Sequence, residues 1–225
     1  MADNRQELPD LPTCLDQAVL DPLLTTEQLH ERCDAGRQEN VRAICTTLRQ
    51  LPALRERLGG REGPRLIAAI GFPFGALPSE LRLAQAEWAA SHGADELDVV
   101  PDLTSLVQGE TGAFAEDLAA ITALGLPVRV VLDMARLSEE HLALAVEASI
   151  DAGACGVQSG NGFGPACQPQ QVSELERLSR GRCAIKTAGG IHLPQLALDL
   201  LDAGAALLGT SSAPELLQAL RRPAS

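Results

Sequence analysis

The sequence predicts an α/β fold, a single-domain (β/α)8 barrel over residues 1–225, from three observations. Eight short apolar runs, several of them β-branched, are separated by longer segments whose apolar residues recur with helical periodicity. Glycine ends three of the helical segments, at Gly93, Gly153 and Gly204, shortly before the next apolar run. This order of helix, glycine and strand is typical of parallel βα units, and 225 residues suffice for one such barrel.

The individual elements are predicted from these runs and from helix start signals. Ser79 follows Pro78, and Ser138 precedes two glutamates, so each serine places a capping hydroxyl at a helix start. No Gly-x-Gly-x-x-Gly motif follows the first strand, which disfavours an open dinucleotide-binding sheet. The predicted strands are 13–16, 41–45, 66–70, 96–100, 128–132, 156–158, 184–186 and 206–208. The predicted helices are 26–37, 79–91, 113–124, 138–151, 169–178, 193–202 and 214–220, with short flexible termini at about 1–8 and 221–225.

Composition excludes several classes of function. A formal net charge of −12 repels nucleic acids and anionic membranes, and 2% aromatic residues cannot build a stacking platform for single strands. No apolar run approaches the 18 residues of a membrane span, and residues 1–6 lack the apolar core of a leader peptide. The six cysteines form no C-x-x-C pair, so we expect reduced, core-filling thiols in a cytoplasmic protein without a metal site or cofactor.

Lys186 is the sole lysine among the 18 basic residues, and all the others are arginine. It ends an apolar run that leads into Gly189-Gly190. A buried lysine can lose its proton and attack a carbonyl, whereas arginine stays charged. The alternative is a structural role, in which Lys186 pairs with a carboxylate or phosphate as a point charge.

Candidate site residues lie where the predicted strands end, since active sites of such barrels form at the carboxyl ends of the strands. The period of two along the fourth strand places Glu96 and Asp98 on one face, and buried carboxylates need partners. Lys186 is the predicted partner of Asp98 across the barrel. The residues at the carboxyl ends of the predicted strands are Asp16, Cys45, Gly71-Phe72-Pro73, Asp98, Asp133, Gln158, Lys186 and Gly209-Thr210.

Three turns rich in glycine or hydroxyl residues follow the last strands, at 160–164, 189–191 and 209–212. Turns after strands seven and eight that lead into a helix commonly hold phosphate through backbone N–H groups. We therefore predict that these turns hold the phosphate group of a small ligand, while a homodimer is left open.

Five stretches in this order and spacing make the chain resemble the deoxyribose-phosphate aldolase family over nearly its whole length: 71–76, 93–100, 160–164, 185–191 and 209–212. The resemblance implies a (β/α)8 (TIM) barrel lyase that cleaves 2-deoxyribose 5-phosphate into glyceraldehyde 3-phosphate and acetaldehyde through a lysine Schiff base. It also implies that Asp98 relays protons, that Lys186 is the second lysine that lowers the nucleophile's pKa, and that Cys45 lines the pocket. The positions matching the phosphate turns are Gly162, Gly189, Gly190, Ser211 and Ser212.

The chain departs from the family at the reacting position. Gln158 stands where the family has its Schiff-base lysine, and an amide cannot form an imine. The first strand reads Asp16-Gln17-Ala18 instead of Asp-His-Thr, Asp21 replaces a common lysine, and there is no tyrosine. Three hypotheses follow: an aldolase in which Lys186 carries the carbonyl, a non-catalytic phosphosugar-binding or regulatory protein, or an imine-free enolisation by Asp98 with Lys186 as electrostatic stabiliser.

Overall fold

Eight parallel strands close into a barrel in chain order, with β8 paired to β1, in the computed structural model, which describes residues 10–221. The prediction of a (β/α)8 barrel is therefore confirmed. The strands are β1 Leu15–Val19, β2 Ala43–Thr47, β3 Arg65–Ile70, β4 Glu96–Val99, β5 Val128–Val131, β6 Gly156–Gln158, β7 Ala184–Ala188 and β8 Leu207–Thr210.

Helices follow the strands on the outside of the barrel. They are α1 Leu11–Cys14, α2 Thr26–Gln38, α3 Leu51–Leu58, α4 Ser79–Ser91, α5 Leu103–Val107, α6 Thr111–Thr122, α7 Glu139–Asp151, α8 Pro169–Ser179, α9 Pro194–Asp202 and α10 Ala213–Arg221. The sequence prediction missed α1, α3 and α5, which have four, eight and five residues. The four and five residues of α1 and α5 span too few turns for a helical period to be recognised.

The first strand and the C-terminal tail differ from their predictions. Residues 11–14 form a helical turn, so β1 begins two residues later than expected, and Asp16 is its second residue instead of its last. Arg221 is the final residue of α10 and pairs with Glu39 at 2.6 Å, so the prediction that the flexible tail begins at 221 is wrong. The predicted flexible segments 1–8 and 222–225 lie outside the described residues.

The main core lies between the strands and the surrounding helices. Along β3, Leu66, Ala68 and Ile70 pack outward into this core, whereas Ile67 and Ala69 point into the barrel. This alternation is the period of two of a strand. The outward layer stabilises the fold through apolar burial, at about 1.5–3 kcal/mol per fully buried large side chain.

Three of the cysteines, Cys33, Cys45 and Cys167, are buried, as expected of core-filling thiols, but Cys155 is exposed. All six are free. Within residues 10–221, no helix has the length and apolar character needed to cross a membrane.

Candidate active site

Six charged side chains form a closed cycle of ion pairs inside the barrel. Three are cations and three are carboxylates, so the cycle is neutral as a whole. We call this set the charged cycle; its members are Asp16, Arg42, Glu96, Arg129, Asp98 and Lys186. In that order the N–O distances between neighbours are 2.7, 2.9, 2.5, 2.9 and 2.6 Å, and Lys186 Nζ closes the cycle on Asp16 Oδ2 at 2.7 Å.

The strand pairing accounts for these contacts. Glu96 and Asp98 point inward from β4, and Asp98 pairs in register with Arg129 of β5. The predicted contact between Asp98 and Lys186 is present, with Nζ donating to Oδ2 at 2.6 Å. Five of the six side chains are almost fully buried, and Arg42 is partly exposed. Burial of charges at this density is tolerated only because each has opposite charges as partners.

Electrostatic attraction between Asp16, Asp98 and Lys186 sets the protonation state of each group. Burial alone would raise the pKa of Asp16, but the charges of Lys186 and Arg42 outweigh it and bring that pKa to about 2. Burial likewise opposes ionisation of Asp98, yet Lys186 and Arg129 lower its pKa below the ordinary value. Burial would lower the pKa of Lys186, but Asp16 and Asp98 raise it above its ordinary value. At neutral pH, Lys186 is therefore an ammonium between two carboxylates.

A cavity of about 510 Å³ opens above the charged cycle at the carboxyl ends of the strands. Lys186, Asp98 and Asp16 contribute to its floor, together with Cys45 and Gln158. Burial, and next the charge of Asp98, raise the pKa of Cys45, so this side chain is a neutral thiol. Within residues 10–221, no cluster of three or more histidine, cysteine or acidic residues could hold a metal ion.

The predicted phosphate turns surround the mouth of this cavity. Gly162, Gly189, Gly190 and Ser211 line it, whereas Ser212 does not. The Ser212 N–H donates to Thr210 Oγ1 at 3.1 Å, inside its own turn. The structure therefore brings together at the cavity all the predicted binding residues except Ser212.

At Gly190 the turn after β7 packs closely against the loop after β6. Its φ is +69°, a left-handed conformation that favours glycine, and a Cβ there would lie 2.5 Å from the Ala166 side chain. Gly209 has a comparable role beside the site, because a Cβ there would lie 3.3 Å from Lys186 Cε. These glycines leave room for the lysine and for the loop that follows β6.

Comparison with known proteins identifies the family to which this chain belongs. A deoxyribose-phosphate aldolase of Thermosynechococcus vestitus is 36% identical over 213 residues, which cover 94% of this chain and 98% of that protein. One from a Cyanothece species is 35% identical over 210 residues, covering 93% and 92% of the two chains. The chain belongs to the deoxyribose-phosphate aldolase family. The solved structure of deoxyribose phosphate aldolase from Aeropyrum pernix, described as tetrameric, superposes with a TM-score of 0.85 at 28% identity, covering 96% of this chain and 92% of that one. No family model matches the chain.

Gln17, at the position where the resemblance to the aldolase family predicts histidine, holds the last turn in place. Its Nε2 donates to the carbonyl oxygen of Ser211 at 2.9 Å, and its Oε1 accepts from the Ala213 N–H at 2.9 Å. This one amide satisfies a backbone acceptor and a backbone donor at the start of α10. This role could not be predicted from the sequence, because it depends on the closure of β1 against β8.

Two phenylalanines line the cavity, Phe72 from the strand-end stretch expected at the site and Phe163 from the first glycine-rich turn, and the contact between their rings was not predicted from the sequence. The rings of Phe72 and Phe74 lie 5.7 and 6.0 Å from that of Phe163, and Phe74 and Phe163 are largely exposed. Asn161 joins the two loops, since its Nδ2 donates to the carbonyl oxygen of Pro73 at 2.7 Å. Arg42 and Arg129 were also missed, although Arg129 stands out as a charge within an apolar strand.

Proposed function

We propose that this chain binds phosphorylated sugars of the 2-deoxyribose 5-phosphate class in the barrel cavity and does so without forming an imine. The observation that supports the proposal is the charge of Lys186 and its contacts with two carboxylates. Its Nζ donates at 2.6 Å to Asp98 and lies 2.7 Å from Asp16, while Gln158 occupies the family's Schiff-base position. The cavity thus combines predicted binding turns with a floor whose lysine is protonated and paired with two carboxylates.

Imine formation requires a neutral amine, and two ionised carboxylates oppose it here. Loss of the Lys186 proton would leave Asp16 and Asp98 facing each other in a buried site with one cation fewer. The family resemblance assigns a nearby cation the task of lowering the nucleophile's pKa. In this chain the carboxylates raise the pKa of Lys186.

The proposed phosphate position is the mouth of the cavity. The chain has a net charge of −12, so local backbone dipoles must attract the dianion. The turns at Gly162, Gly189-Gly190 and Ser211 line the cavity. Helix α10 begins at Ala213, whose own N–H is bonded to Gln17, and the positive end of the helix dipole favours an anion nearby.

A second candidate is the family's aldol cleavage, with Lys186 carrying the carbonyl. Two observations favour it: Lys186 lines the cavity, and whole-chain identity to named aldolases reaches 36%. Under this candidate, the charged cycle must open when substrate binds, so that Lys186 can release its proton.

Borohydride trapping separates the two candidates, because Lys186 is the sole lysine. The chain is incubated with 2-deoxyribose 5-phosphate and borohydride, and intact mass, peptide mapping and acetaldehyde release are measured. We expect a raised melting temperature with the sugar phosphate, no adduct on Lys186 and no acetaldehyde. Gln158→Lys supplies an amine at the family position, and we expect an adduct there.

Three outcomes contradict this expectation in different ways. An adduct on Lys186 of the unaltered chain, abolished in Lys186→Arg, establishes the aldolase candidate. Acetaldehyde release without an adduct indicates the imine-free route by Asp98. No change in melting temperature with millimolar sugar phosphate rejects binding itself.

Assembly and location remain predictions. Whether the chain forms a homodimer stays open and is to be checked by light scattering of the purified chain, and the predicted cytoplasmic location is to be checked by cell fractionation.

A further inference from the structure

Gln158 places a buried hydrogen-bond acceptor at the floor of the cavity. The residue is 7% exposed, and its Nε2 donates to the carbonyl oxygen of Gly160 at 2.7 Å. Among residues 10–221, no group donates to its Oε1. The reversed amide would set Oε1 against the Gly160 carbonyl oxygen, two acceptors at hydrogen-bond distance, so the surroundings select this orientation.

A donor lies beside this acceptor. Gln158 and Lys186 are partners in the register of β6 and β7, so their side chains enter the barrel side by side. An ammonium has three N–H donors; Lys186 donates one to Asp98, and Asp16 lies 2.7 Å away as an ion-pair partner, so at least one donor is left for a ligand. One donor and one acceptor therefore lie at adjacent positions at the base of the cavity.

A hydroxyl group complements that pair, and a carbonyl does not. A hydroxyl donates one hydrogen bond and accepts two, so it can donate to Gln158 Oε1 while it accepts from Lys186 Nζ. An aldehyde oxygen only accepts, so it leaves Oε1 without a partner and lacks the binding free energy that the hydroxyl gains from this hydrogen bond.

We propose that Gln158 is a specificity-determining residue that selects a hydroxyl group at the end of the ligand remote from its phosphate. The substrate class is then a hydroxyl-terminated sugar phosphate, such as an alditol phosphate, in place of a free aldehyde. This inference rests on the proposed function, which places the phosphate at the turns. Lys186 and Gly189 are three residues apart, about 10 Å along extended chain, which is the scale of an extended five-carbon phosphate.

The test compares two ligands that differ in one hydroxyl group. Calorimetry measures the Kd of 2-deoxyribitol 5-phosphate and of its analogue that lacks the terminal hydroxyl on C1. One neutral hydrogen bond corresponds to about a 3- to 10-fold difference in Kd, and we expect the alditol phosphate to bind more tightly by that factor. Inorganic phosphate serves as the probe of the turns alone.

Gln158→Met retains the length of the side chain and removes the acceptor. We expect the ratio of the two Kd values to fall to about 1, with little change for the analogue. Gln195→Met is the matched control, because Gln195 is paired with Asp199 in α9 and lies outside the cavity. The ratio in that variant should equal the ratio in the unaltered chain.

The outcomes separate this inference from the proposed function. Equal Kd values for the two ligands in the unaltered chain overturn the inference, and this comparison needs no variant to fold. An unchanged ratio in folded Gln158→Met also overturns it, while tight binding of both ligands still supports the proposed function. Absence of binding by both ligands and by 2-deoxyribose 5-phosphate overturns the inference and the proposed function together.

Discussion

Lys186 shows how the neighbours of a side chain set what it can do chemically. Its ammonium lies between Asp16 and Asp98, and both carboxylates raise the pKa of the amine. A protonated amine stabilises negative charge on a ligand but cannot attack a carbonyl. What Lys186 can do therefore depends on its two acidic neighbours as much as on the lysine itself.

Asp98→Asn should lower the pKa of Lys186. The substitution removes one of the two anions that stabilise the ammonium, while burial, which disfavours the charge, remains. Lysine labelled with ¹³C and ¹⁵N gives one side-chain signal, because the sequence has one lysine, and NMR can follow that signal from pH 7 to pH 11. The variant should titrate at lower pH than the unaltered chain.

Asp34→Asn is the control for this titration, because Asp34 pairs with Arg57 on the surface, outside the cavity. It should leave the Lys186 signal unchanged. If Asp98→Asn has the same titration curve as the unaltered chain, the contact of 2.6 Å does not set the charge of Lys186.

At the scale of elements, sequence patterns predicted the strands well because each strand leaves a local signal. Branched apolar runs and helix-ending glycines mark most of the barrel, and β6 matched its predicted bounds. The helix α3, eight residues between Gln50 and Gly59, was missed. Its proline lies in the first turn, where proline is compatible with a helix.

The charged cycle was predictable only where one strand carried the signal. Period two along β4 predicted that Asp98 points inward and meets Lys186. The contact of Asp16 with Lys186 depends on closure of β1 against β8, and closure leaves no trace in local sequence. The unpaired amide oxygen of Gln158 was equally hidden, since it follows from three-dimensional contacts.

The turn after β7 gives a prediction at this scale: Gly190→Ala should weaken binding of sugar phosphates and destabilise the chain by about 1–3 kcal/mol. An alanine would adopt a left-handed φ and lie 2.5 Å from Ala166, so the turn must move away from the cavity. Urea unfolding measures the stability, and calorimetry with 2-deoxyribose 5-phosphate measures binding.

Gly60→Ala is the matched control for that turn, because Gly60 lies in the loop after α3, outside the cavity. A Cβ at Gly60 meets nothing within 4 Å, so the free energy of unfolding of this variant should stay within about 0.5 kcal/mol of the unaltered value. If Gly190→Ala binds the sugar phosphate as tightly as Gly60→Ala does, the turn is not part of the binding site.

At the scale of the whole molecule, the charged cycle links stability to pH. Asp16 has a pKa of about 2 in the folded chain against 3.8 ordinarily, and the pKa values of Asp98 and Glu96 are also lowered. Groups with lowered pKa values stabilise the fold above their ordinary pKa and lose that effect as pH falls through the folded value. Lys186 has a raised pKa, so its contribution is complete below pH 10.5 and is lost at higher pH.

Acid should therefore unfold this chain by protonating the buried carboxylates of the charged cycle. Asp16 alone accounts for about 2 kcal/mol of the free energy of unfolding between pH 5 and pH 2. Asp16→Asn should be less stable at pH 7, because Arg42 and Lys186 each lose a partner. Its stability should also fall less steeply between pH 5 and pH 2, because one titrating group is gone. Urea unfolding at pH 7, 5, 4 and 3 measures both effects.

Glu174→Gln, which removes an exposed carboxylate of α8, should leave the pH dependence nearly unchanged. Equal slopes for Asp16→Asn and the unaltered chain would mean that acid unfolds the barrel through other carboxylates.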